Sequence, residues 1–182
     1  VGISAGQGGA PACYIIEQHF RRFIVGQDPR NLNRIWDQMF RASRYYGGKG
    51  LPLWAISAVD LALWDLLGLL RQEPVYKMIG GAVREEIELY CTGIRPDVAK
   101  EAGFIGGKMP IPHGPADRQE GLNANVEHFR EMRDRVGPDF QLMADCWMSL
   151  DVPYAVELAY ALREIGVYWL EEALHPDDFD GH

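Results

Sequence analysis

The chain has 182 residues, 47% hydrophobic and 24% charged, the balance of an ordinary globular protein of one or two domains. Its net charge of −8 argues against a nucleic-acid surface, which would need a basic stripe. At 182 residues it is also shorter than a whole (β/α)8 barrel, which takes about 250.

Residues 1–11 are rich in glycine, with alanine and proline, and read as a loop. They carry no basic stretch followed by an apolar core, so no signal peptide is visible, and no initiator methionine; the reading is of a chain that begins inside a longer gene product. Ala12 to Val25 has the pattern of an amphipathic helix, stopped by Gly26 and Pro29. A second helix is predicted from Asn31 to Tyr46 and a third from Leu51 to Leu70. The third is nearly long enough to cross a membrane, but Asp60 and Asp65 at its centre are costly in lipid. Its apolar residues recur at helical spacing, so a core helix is the better reading and no membrane partner is expected. Pro74 to Met78 reads as a short helical turn closed by Gly80-Gly81.

Beyond that point the pattern changes. Ile87–Cys91 reads as a strand, Pro96–Ala102 as a short helix and Phe104–Met109 as a second strand. Glu120–Val136 reads as a long helix with Leu122, Val126, Phe129, Met132 and Val136 on one face. A strand ending at Asp145, a helix with Ala155, Leu158, Leu162 and Ile165 turned inward, and a strand from Val167 to Glu171 complete the chain. Alternation of this kind implies parallel βαβ units with right-handed crossovers. The boundary falls near 82–86, giving a helical unit at 1–86 and the first strands and helices of an incomplete barrel at 87–182. The three cysteines, Cys13, Cys91 and Cys146, are odd in number and lack metal-ligand spacing, which points away from a disulfide framework and toward a reducing cytoplasm.

Two carboxylates carry the chemistry. Asp145 and Glu171 each end a short apolar run, 26 residues and one βα repeat apart. Side chains at the C-terminal ends of adjacent parallel strands open onto one mouth. Two acids converging there repel each other and need a cation. An all-oxygen pair fits Mg²⁺ better than Zn²⁺.

The strings Ala58-Val-Asp-Leu-Ala-Leu-Trp-Asp-Leu-Leu-Gly68 and Pro74-Val-Tyr-Lys-Met-Ile-Gly-Gly81 resemble the junction of capping domain and barrel in the enolase superfamily. Gly103-Phe-Ile-Gly-Gly-Lys-Met-Pro110, Met143-Ala-Asp-Cys-Trp-Met-Ser149 and Trp169-Leu-Glu-Glu-Ala-Leu174 resemble, within it, the L-rhamnonate dehydratases. The likeness runs from about Cys13 to the C-terminus. It implies an α/β fold: part of a (β/α) TIM-type barrel preceded by the helical portion of an α+β capping domain. It implies a Mg²⁺-dependent dehydratase that eliminates water from a sugar acid through a metal-stabilised enolate. The product is the 2-keto-3-deoxy acid. Asp145 and Glu171 match the first two metal ligands; a third ligand and a His–Asp general base are expected beyond His182. Homo-oligomerisation is a further implication of the resemblance.

Many relatives carry Lys-x-Lys on the second barrel strand as an acid–base pair, whereas this chain has Lys108-Met-Pro110. Lys108 is therefore a candidate for substrate or carboxylate contact rather than a base, against the plainer reading of a solvated lysine. His113, in the loop Pro110–Pro115, is a weaker substrate candidate. Glu172 falls on the opposite side of its strand from Glu171 and reads as structural. Cys146 has no histidine placed to activate it and reads as a small buried residue. Two alternatives stand beside dehydration: another reaction from the same enolate, racemisation or cycloisomerisation, and a truncated piece that acts only in assembly.

Overall fold

The computed structural model describes residues 1–3 and 6–182. The chain divides into two units, Val1–Glu85 and Glu86–His182.

The first unit is helical. The first predicted helix is present but starts earlier and is interrupted: α1 (Gly9–Ile15) passes through a π-helical turn (Ile16–Phe20) into α2 (Arg21–Ile24). The predicted N-terminal loop is thereby shortened, and its residues Ser4 and Ala5 lie outside the described residues. The wider π turn seats His19 among the rings of Phe20, Phe23 and Tyr46, at centroid distances of 5.4, 6.2 and 5.6 Å. Helices α3 (Leu32–Ser43), α4 (Leu51–Arg71) and the short α5 (Val75–Met78) follow. The core of this unit gathers Ala12 and Phe20 with Ile35 and Met39 of α3 and Ala55, Ile56 and Val59 of α4. Burying each larger side chain stabilises the fold by roughly 1.5–3 kcal/mol. Asp65 accepts the backbone N–H of Ile3 at 2.9 Å. Burial pushes the Asp60 carboxyl above its ordinary value, and a hydrogen bond from Trp64 opposes that shift.

The second unit is a four-stranded sheet in sequence order, with every pair parallel. Its elements are β1 (Tyr90–Thr92), α6 (Pro96–Glu101), β2 (Gly106–Pro110), α7 (Arg118–Val136), β3 (Gln141–Asp145), α8 (Val152–Arg163) and β4 (Val167–Glu171). The first strand is shorter than the apolar run Ile87–Cys91 implied. Ile87 and Leu89 are exposed, and pairing begins only where the Ile105 N–H reaches the Leu89 carbonyl at 3.1 Å. Asp151 caps α8 by accepting the Tyr154 N–H at 2.9 Å. One face of the sheet meets the helices: Met109, Leu142, Ala144 and Cys146 pack with Phe129, Met132, Leu158 and Leu162. The inward faces read from the α7 and α8 sequences are the ones buried there.

The other face is concave. Tyr90 of β1 and Trp169 of β4 meet edge-on at 5.5 Å, although two strands lie between them. In a flat sheet three strand spacings of about 4.8 Å would hold the two backbones ~14 Å apart. The contact therefore requires strong curvature, the curvature of a barrel wall. Space for it comes from Gly106, where a Cβ would lie 2.7 Å from the Gln141 carbonyl and 2.9 Å from Met143 Cε.

Between β3 and β4 the register slips once. Leu142 pairs with Val167, yet Ala144 pairs with Leu170 and Asp145 with Glu171. Strand β4 thus carries one extra residue, a β-bulge around Tyr168. Val167 and Leu170 both face the helices while Trp169 and Glu171 face the concave side. At the opposite end of the strands, Arg133 binds the carbonyls of Gly137 (2.7 Å), Phe140 (2.6 Å), Ile165 (3.0 Å) and Gly166 (2.8 Å). One guanidinium so closes α7 and ties the loops leading into β3 and β4.

Candidate metal centre

Asp145 and Glu171 are direct partners across β3 and β4, and so share the concave face. Lys108 enters from β2. Pro110 pairs with Asp145, so Lys108 lies two residues earlier on the same face. Its Nζ donates to Glu171 Oε1 at 2.5 Å and stands 3.1 Å from Asp145 Oδ2. The remaining oxygens are also engaged: Trp147 N–H donates to Asp145 Oδ1 at 3.2 Å, and Trp169 Nε1–H to Glu171 Oε2 at 3.3 Å. The trio is sheltered, with side-chain exposures of 9% for Lys108, 13% for Asp145 and 32% for Glu171.

Burial alone would pull the Lys108 ammonium below its usual range. The hydrogen bonds and charges of Glu171 and Asp145 outweigh that effect and hold it above. Contact with the two carboxylates thus favours the ammonium form of the lysine. The Cys146 thiol belongs to the helix-side core; desolvation, followed by the charges of Asp145 and Glu171, pushes it up to about 12. Its side chain is buried among the helix-facing residues, on the face of the sheet away from the carboxylate pair.

The backbone is strained around this end of the sheet. Trp147, Met148 and Glu172 all have left-handed φ angles, of 51°, 57° and 48°. Met148 N–H donates to the Glu172 carbonyl at 2.6 Å and Leu150 N–H to that of Ala173 at 3.1 Å, so the two strand exits run on side by side. Glu172 is exposed and stands outside the trio.

The structure brings together three of the four residues singled out from sequence: Asp145, Glu171 and Lys108. His113 is engaged elsewhere, its Nδ1 lying 3.4 Å from Asp117 Oδ2 beside the start of α7. Sequence reasoning passed over Trp169, which orients one Glu171 oxygen. Its position two residues before Glu171, on the same strand face, was the available signal. Among the described residues no group of three or more His, Cys, Asp or Glu side chains is placed to hold a metal. The pair that is present fits a hard divalent cation: its donors are carboxylate oxygens, and the two already share one positive charge.

Two family models match this arrangement. Residues 3–80 match the mandelate racemase / muconate lactonizing enzyme N-terminal domain, and residues 95–182 match the enolase C-terminal domain-like model. The chain belongs to the enolase superfamily. Within that superfamily it is 59% identical over all 182 residues to the L-rhamnonate dehydratase of Saccharopolyspora erythraea, of which it covers 47%. It superposes on the crystal structure of L-rhamnonate dehydratase from Gibberella zeae with a TM-score of 0.90 at 55% identity, covering 99% of this chain and 46% of that one. Against the rhamnonate dehydratase from Gibberella zeae complexed with Mg the TM-score is 0.88 at 56% identity, over 96% and 43% of the two chains. The chain thus spans about half the length of the relatives it matches. In this superfamily chain the α/β alternation read from sequence is the parallel sheet of the barrel.

Proposed function

We propose that this chain forms part of a Mg²⁺-dependent sugar-acid dehydratase acting on L-rhamnonate, with Asp145 and Glu171 as metal ligands. The observation that carries the reading is the pairing of these two carboxylates, in register on parallel strands around one cation. Similarity to L-rhamnonate dehydratases over the whole chain supports the choice of substrate.

When bound, Mg²⁺ supplies Lewis-acid stabilisation of the negative charge that builds on a substrate carboxylate as its α-proton leaves. The residues of this chain prepare for that step. Register and bulge aim the two carboxylates at one point; Trp147 and Trp169 orient their outer oxygens. Two carboxylates would supply only part of the octahedral shell of Mg²⁺, so substrate and other protein groups would complete it. Pro110 stands where relatives have a second lysine, so we assign proton abstraction to a group outside this trio. The C3 hydroxyl then leaves as water with acid assistance, and the resulting enol takes a proton at C3 to give the 2-keto-3-deoxy acid. The small, polar, anionic substrate fits a cytoplasmic catabolic enzyme, and we read the assembly as a homo-oligomer.

The test is Asp145→Asn in the complete protein. Turnover of L-rhamnonate to the 2-keto product, followed with and without Mg²⁺, should be lost while circular dichroism and the melting temperature stay close to wild type. Full activity in that variant would refute the assignment.

A further inference from the structure

The three-residue cluster has a consequence for metal binding. Lys108 Nζ lies within ion-pair reach of one oxygen from each proposed metal ligand. A divalent ion shared by Asp145 and Glu171 would need those same inner oxygens, because the outer ones face Trp147 and Trp169. Two positive charges cannot occupy the space between one pair of carboxylates without strong repulsion in a sheltered site. The lysine backbone cannot yield, since β2 is paired on both sides. Its four-carbon stem can, because a lysine side chain is long and flexible.

We propose that Lys108 is a built-in competitor of the metal: its ammonium holds Asp145 and Glu171 together when no divalent ion is bound, and must swing away when one enters. This rests on the Mg²⁺ reading of the site. It makes Lys108 a positioning residue with two opposed effects. The lysine keeps two neighbouring acids from repelling each other in the metal-free protein, and it weakens the hold on Mg²⁺. A site governed this way stays ordered without metal and exchanges its ion readily.

The experiment is a calorimetric titration of the complete, EDTA-treated protein with MgCl₂, comparing wild type with Lys108→Gln, Lys108→Met and Lys108→Arg. Glutamine keeps much of the length without the charge, methionine removes charge and hydrogen bond together, and arginine keeps the charge. Affinity should rise about ten-fold or more in the glutamine and methionine variants and stay near wild type in the arginine variant. The metal-free glutamine and methionine proteins should also melt at lower temperature, and Mg²⁺ should raise their melting point by more than it raises that of wild type. If methionine is not tolerated, glutamine alone decides the matter. Mg²⁺ binding to wild type with equal or weaker binding to Lys108→Gln overturns the proposal while leaving the metal site standing. No Mg²⁺ binding by wild type overturns both.

Discussion

The side chain of Asn125 satisfies both backbone polar groups of His113: Oδ1 accepts its N–H at 3.1 Å, and Nδ2 donates to its carbonyl at 2.9 Å. The same Nδ2 donates to the Tyr154 hydroxyl at 3.1 Å, so α7 and α8 together anchor the loop that leaves β2. Asn125 is completely buried. Asn125→Leu, close in volume, strands several buried groups and should cost about 2–4 kcal/mol. Urea unfolding of the complete protein measures this, and amide exchange at His113 should accelerate. A loss below about 0.5 kcal/mol would mean that the loop finds other partners.

Arg133 poses a similar test at the other end of the strands. Lysine preserves the charge but cannot span four carbonyls contributed by two loops. Arg133→Lys should lower stability by about 1–3 kcal/mol, and Arg133→Met by more. Denaturant midpoints decide it. Lysine matching arginine would show that charge alone matters there.

Gly106 is required by crowding rather than by an unusual φ. A Cβ would press on the Gln141 backbone and on Met143 Cε. Gly106→Ala should destabilise by about 1–3 kcal/mol, and Gly106→Val by more. Near-ultraviolet circular dichroism should report a disturbed Tyr90–Trp169 contact. Wild-type stability in the alanine variant would mean that the concave face has slack the structure does not show.

The three thiols should react in the order of their burial. Cys13 is exposed, Cys91 intermediate and Cys146 buried. A thiol reagent at pH 8 should label Cys13 first and Cys146 only on unfolding. The sign of the pH effect follows. Burial raises the Cys146 thiol from 9.0 to about 12, so the folded protein holds this proton more tightly than the unfolded chain. Its contribution to stability is full below pH 9 and is lost as pH climbs from there toward about 12. Mass spectrometry of the labelled protein checks the order; early labelling of Cys146 would contradict its burial.

Much of this was legible in the chain. The βα alternation could be read because each strand here is a short apolar run and each helix a one-sided one. Asp145 and Glu171 stood out because both interrupt such runs at the strand end. The first helix was seen as one piece, since a π turn changes hydrogen bonding without any proline or glycine to announce it. Arg133 was invisible because its partners are main-chain carbonyls, two of them more than 30 residues away, and any sequence supplies carbonyls. The engagement of His113 with Asp117 was readable in principle as an i,i+4 pair.

The slip at Tyr168 was not legible either, and it acts like a reading frame. Strand side chains alternate faces, so counting from Val167 without the extra residue would set Leu170 opposite Asp145 and send Glu171 into the helix-side core. Deleting Tyr168 would take out the extra residue and leave Trp169 and Glu171 on the concave face of an unbulged strand, whereas one further residue there, absorbed into regular pairing, would act as a frameshift in space and send both to the opposite face. Any strand grafted into this position must match the count of residues before its acid as well as the acid itself.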